Sequence, residues 1–370
     1  MRRAALAASI ALLALASRAA GQEPDAVYQQ QPTKAFKFAG DALARYEWTR
    51  DILENGVLQD ENRYFLEARP RLEVRVGPVE LGAGGAFRYS DDRNDVASGG
   101  EPLTIIRDNF RSRDVRLDLA WAKVTLGPVV LEGGRFRMPI PFTEMIWDRD
   151  LRPQGGAVTI NLAPKESSNR FALHGIYATG SHVFEDKSAM YGGGLELRLS
   201  SGQGSSVQLV GSYLQFQDLE RLDPLIQRQN AHVPGHFLND YRVVDLVGRL
   251  TRGGQLPMQL VGDYCWNTAL SSGNKGLWLA AILGDLQSSR ARIEYTYSKI
   301  DREATVAAFD ADDFYWGTGW EGHRGDVGTP LGKGSEVHAI AQWQRFKDGP
   351  TLAVQDNWVT RYRVEYRLKF

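Results

Sequence analysis

From residue 358 to residue 370 the chain alternates without a break. Trp358, Thr360, Tyr362, Val364, Tyr366, Leu368 and Phe370 occupy one set of positions. Val359, Arg361, Arg363, Glu365, Arg367 and Lys369 occupy the other. Successive side chains on a strand point to opposite faces, so this stretch predicts a strand with one aromatic-aliphatic face and one charged face. The same period recurs upstream. In 63–76, Arg63, Phe65, Glu67, Arg69, Arg71, Glu73 and Arg75 oppose Tyr64, Leu66, Ala68, Pro70, Leu72, Val74 and Val76. In 289–300, Arg290, Arg292, Glu294, Thr296 and Ser298 oppose Ala291, Ile293, Tyr295 and Tyr297. A water-soluble sandwich also alternates, with its apolar face on a core. Dense Arg/Glu ladders behind a repeated apolar stripe instead fit strands with lipid on one side and a polar lumen on the other.

Short Gly-containing connections join the alternating runs, and these are hairpin signals. They are Gly-Pro-Val at 77–79 and again at 127–129, Ser-Gly-Gln-Gly at 201–204, Arg-Gly-Gly-Gln at 252–255 and Gly-Asp-Leu-Gln at 284–287. The connections 47–62, 91–111, 139–154, 218–240 and 301–313 are longer and richer in charge. Short turns alternating with long loops are the two rims of an outer-membrane barrel, with the short turns periplasmic. The predicted fold is an all-β, transmembrane, antiparallel up-and-down barrel of about 16 strands over 35–370. Two strands, 155–163 and 314–322, are weakly marked; without both the count is about 14, still even. Aromatics near strand ends (Trp48, Tyr64, Trp266, Trp316, Trp320 and Trp358) are candidates for interfacial girdles.

The N-terminus supplies an address. Arg2 and Arg3 precede an apolar run over 4–16, followed by small residues at Ser17, Ala19, Ala20 and Gly21. That is the layout of a cleaved signal peptide over 1–21, leaving 22–34 as a short periplasmic segment. No later stretch approaches the ~18 consecutive apolar residues of a membrane helix. Alternation keeps averaged hydropathy low in a barrel, so a polar average does not argue against the membrane. With 44 basic and 45 acidic residues, no basic excess points to nucleic acid. A single cysteine, Cys265, excludes an intrachain disulfide framework.

Two segments resemble a known family. The first is Phe38-Ala39-Gly40-Asp41-Ala42-Leu43-Ala44-Arg45-Tyr46-Glu47-Trp48, followed by Arg69, Arg71 and Arg75. The second is Leu131-Glu132-Gly133-Gly134-Arg135-Phe136-Arg137-Met138-Pro139, then Phe142, then Trp147-Asp148-Arg149-Asp150-Leu151-Arg152-Pro153-Gln154-Gly155. Together they resemble the "putative porin" family of Gram-negative outer-membrane β-barrels, over most of the mature chain. The Trp-Asp-x-Asp-x-x-Pro-x-Gly stretch is the most specific part. The resemblance implies a passive channel in the outer membrane. Phe370 is similar to the terminal aromatic that the barrel-assembly machinery reads as an assembly signal. Lipid and lipopolysaccharide are the implied surroundings, small hydrophilic solutes the cargo, and a homotrimer the default assembly by analogy.

The candidate site is the connection after the fifth strand. By its order along the chain it is the third long loop, which in many porins folds into the lumen. Asp148, Arg149, Asp150 and Arg152 then place both signs of charge at a constriction, where local potential sets selectivity. Arg69, Arg71, Arg75, Arg116, Arg290, Arg292, Arg361, Arg363 and Arg367 are the expected lumen wall. Two plainer readings stand beside these. The Asp and Pro-x-Gly residues can simply order the loop, and Arg–Glu ladders can pair to stiffen the wall. Asp310, Asp312 and Asp313 form an acidic cluster without an EF-hand pattern. His232 and His236 flank Pro234 and lack a third ligand, so no metal and no cofactor is expected. No nucleophile elbow, phosphate loop or metalloprotease motif occurs, and the chain is read as a non-enzyme. The expected function is passive diffusion of small hydrophilic or ionic solutes. The alternatives are a closed structural or adhesive barrel, and a barrel enzyme built on a pair such as Ser212 and His174.

Overall fold

The computed structural model describes residues 36–54, 57–90, 113–164, 167–179, 188–201, 204–222, 230–233, 236–287, 290–310, 317–347 and 358–370. The proposed signal peptide and the 22–34 segment lie outside these residues. Eighteen strands follow in chain order: β1 (Phe36–Glu54), β2 (Val57–Val76), β3 (Val79–Ser90), β4 (Arg113–Leu126), β5 (Val129–Arg135), β6 (Gln154–Asn161), β7 (Arg170–Thr179), β8 (Ala189–Ser201), β9 (Ser205–Gln217), β10 (His232–Val233), β11 (His236–Phe237), β12 (Arg242–Arg252), β13 (Met258–Asn267), β14 (Lys275–Leu283), β15 (Arg292–Ile300), β16 (Trp320–Gly332), β17 (Ser335–Phe346) and β18 (Val359–Lys369). All but β10 and β11 form one closed antiparallel barrel, each strand bonded to its sequence neighbours and β18 returning to β1. The barrel has the sixteen strands expected from the alternation.

Closure runs from Asp41 opposite Lys369 to Arg50 opposite Thr360. At the foot of the seam Gly40 and Phe370 exchange both backbone hydrogen bonds, at 2.7 and 3.0 Å. The Phe370 ring lies over Gly40, where a Cβ would meet it at 2.5 Å, and beside Phe38 at 5.8 Å. The hairpin turns follow their sequence. Gly77 and Gly127 have φ of +59 and +58 and precede Pro, the order a two-residue II′-type turn uses.

Side chains segregate as the period requires. On β18, Arg361 and Arg363 are buried and Tyr362 and Val364 exposed. Phe38, Tyr64, Leu81, Phe87, Val115, Leu117, Leu195, Leu209, Leu246, Leu279 and Tyr295 make an exposed apolar surface around the barrel. A surface of that extent needs an apolar solvent rather than water. No described helix is long and apolar enough to cross a membrane, which says nothing of a barrel.

The structure differs from the sequence expectations at four places. The expected loop 47–62 is strand, because its charged residues pair across β1 and β2: Glu47 opposes Arg63 and Thr49 opposes Glu61. The strand expected at 314–322 begins at Trp320 and runs to Gly332. Four glycines and Pro330 within β16 dilute its alternation. Trp320 is not a girdle residue; it points inward and is 1% exposed, whereas Trp316 lies outside the described residues. Finally, β15 starts at Arg292, so Arg290 is an exposed turn residue rather than part of the wall.

The interior has two unlike halves. Inward positions on β7–β9 and β12–β14 hold an apolar cluster, including Ile176, Val210, Leu214, Val243, Val247, Cys265 and Trp278, interrupted by His174, Glu196, Asp245 and Asp263. Inward positions on β1–β4 and β16–β18 are largely charged, including Glu47, Arg63, Glu67, Arg69, Arg88, Asp118, Arg324, Asp326, Arg361, Arg363 and Glu365.

Candidate functional site

Residues 136–153, between β5 and β6, occupy the barrel interior. Pro139, Pro141 and Pro153 lack ladder donors, so the chain leaves the sheet here. The base of the loop is pinched by Phe136 N–H donating to the Pro153 carbonyl at 3.1 Å. Phe136, Ile140, Met145, Ile146, Trp147 and Leu151 are all buried and pack on the apolar half of the interior.

Polar contacts moor the loop to two opposite walls. Asp150 accepts from Arg69 on β2 at 2.6 Å, and Arg152 meets Asp118 on β4 at 3.3 Å. Across the lumen, Arg249 on β12 donates to the Pro141 and Phe142 carbonyls at 2.9 and 3.1 Å. Thr143 donates to Asp263 on β13, and Glu144 accepts from Arg324 on β16 at 2.8 Å. Arg324 also reaches Glu294 at 3.1 Å. In strand order β2 and β12 are eight apart in a ring of sixteen, which is diametrically opposite. The loop therefore bridges the lumen.

The motif residues divide by role. Asp148 is buried; its carboxylate accepts from the Asp150 N–H at 2.7 Å and its N–H donates to the Phe309 carbonyl at 2.7 Å. Arg152 is buried and also donates to the Arg149 and Leu151 carbonyls. The Trp147 indole donates to the Leu151 carbonyl at 3.3 Å. These three order the loop. Arg149 is the exposed member, its side chain 81% exposed, whereas Asp150 is 35% exposed with its carboxylate on Arg69. Arg149 also pairs with Glu144 at 3.1 Å.

A second connection, 301–310, also folds inward. Phe309 stacks between Trp147 at 5.4 Å and Phe216 at 5.6 Å. The Asn230 amide donates to the Arg302 and Thr305 carbonyls at 2.7 and 2.9 Å, and its carbonyl accepts the Ala307 N–H at 2.7 Å. Glu303 accepts from the Ala231 N–H at 2.8 Å and from the Tyr241 hydroxyl. Burial, with the Glu303 carboxylate beside it, pushes the Tyr241 hydroxyl up from its ordinary range. The sequence marked 301–313 as a long connection with an acidic cluster but not as an inward one, because Ala-Thr-Val-Ala-Ala-Phe carries no motif; its signal is an apolar run inside a long loop.

On the charged half, Glu47 lies among three arginines: Arg363 at 2.6 Å, Arg63 at 3.0 Å and Arg361 at 3.5 Å. Arg45 and Arg367 both reach Glu365 at 2.6 Å. These residues sit deep: the side chains of Arg361, Arg363, Glu47 and Glu365 are 2%, 1%, 4% and 0% exposed. Toward the short-turn end the ladder opens. Arg71 pairs with Glu73 at 3.0 Å, Arg75 with Glu80 at 3.6 Å and Arg292 with Glu294, all partly exposed. Arg116 pairs with Asp114 at 3.6 Å.

The remaining candidates do not converge. Ser212 on β9 and His174 on β7 both oppose Gly194 on β8, two strand spacings or roughly 9.5 Å apart. The His174 ring is engaged by Thr159 at 3.0 Å and Glu196 at 3.3 Å, so it is no base for Ser212. Asp310 is buried against Thr305, while Asp312 and Asp313 lie outside the described residues. His232 and His236 sit on the β10–β11 hairpin opposite Phe237 and Val233, not each other. Cys265 is a buried free thiol.

No protein-family model matches the chain, and no curated protein sequence matches it. Solved structures do. A high-pH structure of OprB from Pseudomonas putida aligns with a TM-score of 0.60 at 10% identity, covering 91% of this chain and 94% of that one. Two engineered variants of the Rhodopseudomonas blastica porin align at 0.51 and 0.50, each 11% identical, covering 90% of this chain and 100% of theirs. At such identities the likeness is one of fold, and the fold is the closed sixteen-strand porin barrel.

Proposed function

We propose that this chain is an outer-membrane porin, a passive channel for small hydrophilic or ionic solutes, exported with a cleaved signal peptide. The observation that carries the reading is the loop 136–153, moored on opposite walls through Asp150 and the Pro141 and Phe142 carbonyls and leaving Arg149 exposed. A loop so placed narrows the lumen. The water-accessible ladder below it, Arg71, Glu73, Arg75, Glu80 and Arg367, supplies a polar path to the short-turn side. Charged groups at the narrow point bias permeation through local potential. Barrels of sixteen strands are wide enough to leave an aqueous channel. The exposed apolar surface supports placement in the outer membrane, and Phe370 on the Phe38 ring at the seam supports its role as the assembly signal.

A second reading, a closed structural or adhesive barrel, draws on the near-complete burial of the Glu47–Arg363 hub. Liposome swelling with uncharged sugars of graded size separates the two. A channel admits sugars up to a cut-off and excludes larger ones. Liposomes that contain the folded protein yet exclude every sugar mark a closed barrel.

A further inference from the structure

The wall beneath the loop tip carries oxygen atoms that the barrel's own bonding does not explain. Asp245 on β12 and Asp263 on β13 point inward and are 0% and 2% exposed. Their carboxyl groups meet directly. Ser212 on β9 stands opposite Asp245 in register, which sets their Cβ atoms about 5 Å apart. Ser212 is buried as well, at 7% exposure. Among the described residues, no N–H or O–H donates to either Asp245 oxygen or to Asp263 Oδ1, and Ser212 Oγ has no hydrogen-bond partner. Four buried oxygens on three neighbouring strands therefore converge without a donor.

The nearby groups do not meet this need. Arg249 directs its donors to Gln208 Oε1 at 3.2 Å and to the Pro141 and Phe142 carbonyls at 2.9 and 3.1 Å, and to neither acid. The Thr143 hydroxyl from the loop donates to Asp263, but to its other oxygen, Oδ2. Two bare carboxylates in contact and out of water repel each other and lose their solvation. A proton shared between them serves one oxygen of each acid. The second Asp245 oxygen and Ser212 Oγ stay unserved. A cation at the point where they converge serves all four, and buried polar groups in folded proteins are satisfied.

We infer that Asp245, Asp263 and Ser212 bind a hard divalent cation, Ca2+, beneath the loop tip, and that the ion fastens the loop to the wall through Asp263 and Thr143. The donors select the ion. Carboxylate and hydroxyl oxygens suit a hard cation, and among the described residues no three of His, Cys, Asp and Glu group as a transition-metal holder. Two carboxylates balance a double charge. Mg2+ gives up its water reluctantly, whereas Ca2+ accepts irregular protein oxygens in a site closed to solvent. The inference holds whether or not the lumen conducts.

The test uses the full chain folded in detergent, stripped with EGTA and titrated with CaCl2, MgCl2 or TbCl3. Tb3+ takes Ca2+ sites and luminesces when a neighbouring indole is excited; Trp278, opposite Asp263 in register, is that indole. Wild type shows sensitised emission that saturates at one Tb3+ per chain, and Ca2+ displaces it at lower concentration than Mg2+. At a tenfold excess of Ca2+ over its Kd, hydrogen exchange of the Ile146 and Trp147 amides slows roughly tenfold. D245N and D263N each weaken Tb3+ by roughly a hundredfold or more, and S212A by roughly tenfold. D245N also removes one of two touching charges, so in EGTA it melts no lower than wild type, which separates a lost ligand from a lost fold. Wild type without sensitised emission overturns the site, as does emission that D245N leaves undiminished. Loop exchange that follows pH but none of the three ions marks a shared proton in place of the cation and overturns it equally.

Discussion

Replacing Arg324 by Leu removes the mooring of the lumen loop on β16. Arg324 holds Glu144 at 2.8 Å and Glu294 at 3.1 Å, with its guanidinium 5.5 Å from the Trp278 ring. Breaking a buried ion pair by deleting one partner costs about 3–5 kcal/mol when the remaining charge is stranded. Neither acid is stranded here, since Glu144 keeps Arg149 at 3.1 Å and Glu294 keeps Arg292. The loss on the loop side is then that of one charge-assisted hydrogen bond, about 2 kcal/mol. It falls on local opening of the loop rather than on the wall, because the β16 ladder to β15 and β17 is untouched. Hydrogen exchange reads it directly. The reporters are the Ile146, Trp147, Asp148 and Leu151 amides, bonded to Thr143, Thr143, Phe309 and Asp148 carbonyls. An opening free energy lower by about 2 kcal/mol speeds their exchange roughly thirtyfold, with amides of β1 and β18 unchanged. Exchange within threefold of wild type at these positions would falsify the claim that Arg324 moors the loop.

Three other substitutions probe separate parts of the interior. Glu47→Gln removes the carboxylate that Arg63, Arg361 and Arg363 share; the folded barrel loses about 3–5 kcal/mol in urea unfolding from detergent, and a loss under 1 kcal/mol refutes the hub. Phe309→Ala deletes the ring between Trp147 and Phe216; it costs about 3–5 kcal/mol and flattens the near-ultraviolet circular dichroism of Trp147, an outcome that an unaltered spectrum contradicts. Gly276→Val overpacks the loop tip, since a Cβ there meets Cys265 Sγ and Met145 Sδ each at 2.7 Å. It costs about 1–3 kcal/mol and accelerates exchange at 145–148, whereas a neutral melting temperature shows that the contact is loose.

The barrel was legible because its physics is repetitive. Period-two alternation sets every inward and outward side chain, and the two Gly-Pro turns set two registers at once. Misreadings came where that signal was weak or double-valued. Charge in 47–62 suggested a loop, yet Glu47, Thr49, Glu61 and Arg63 are charged or polar because they face one another across β1 and β2. Glycine replaced side chains on β16, which hid both the strand and Arg324. The loop 136–153 was locatable from its order and its Trp-Asp-x-Asp motif. Its partners Asp118, Arg249, Asp263 and Arg324 were not, since each comes from a strand remote in sequence. The local motif cannot encode which wall the loop reaches; only barrel closure brings those strands round to it.

The most direct test of the central claim is single-channel recording in planar bilayers, comparing the full chain with a variant whose residues 140–151 are replaced by a short Gly-Ser link. A channel narrowed by this loop gives discrete conductance steps in the wild type and larger, noisier steps in the variant. Absence of steps from both proteins, once each is shown to be folded and inserted, contradicts the channel; equal steps from both contradict the loop as its constriction.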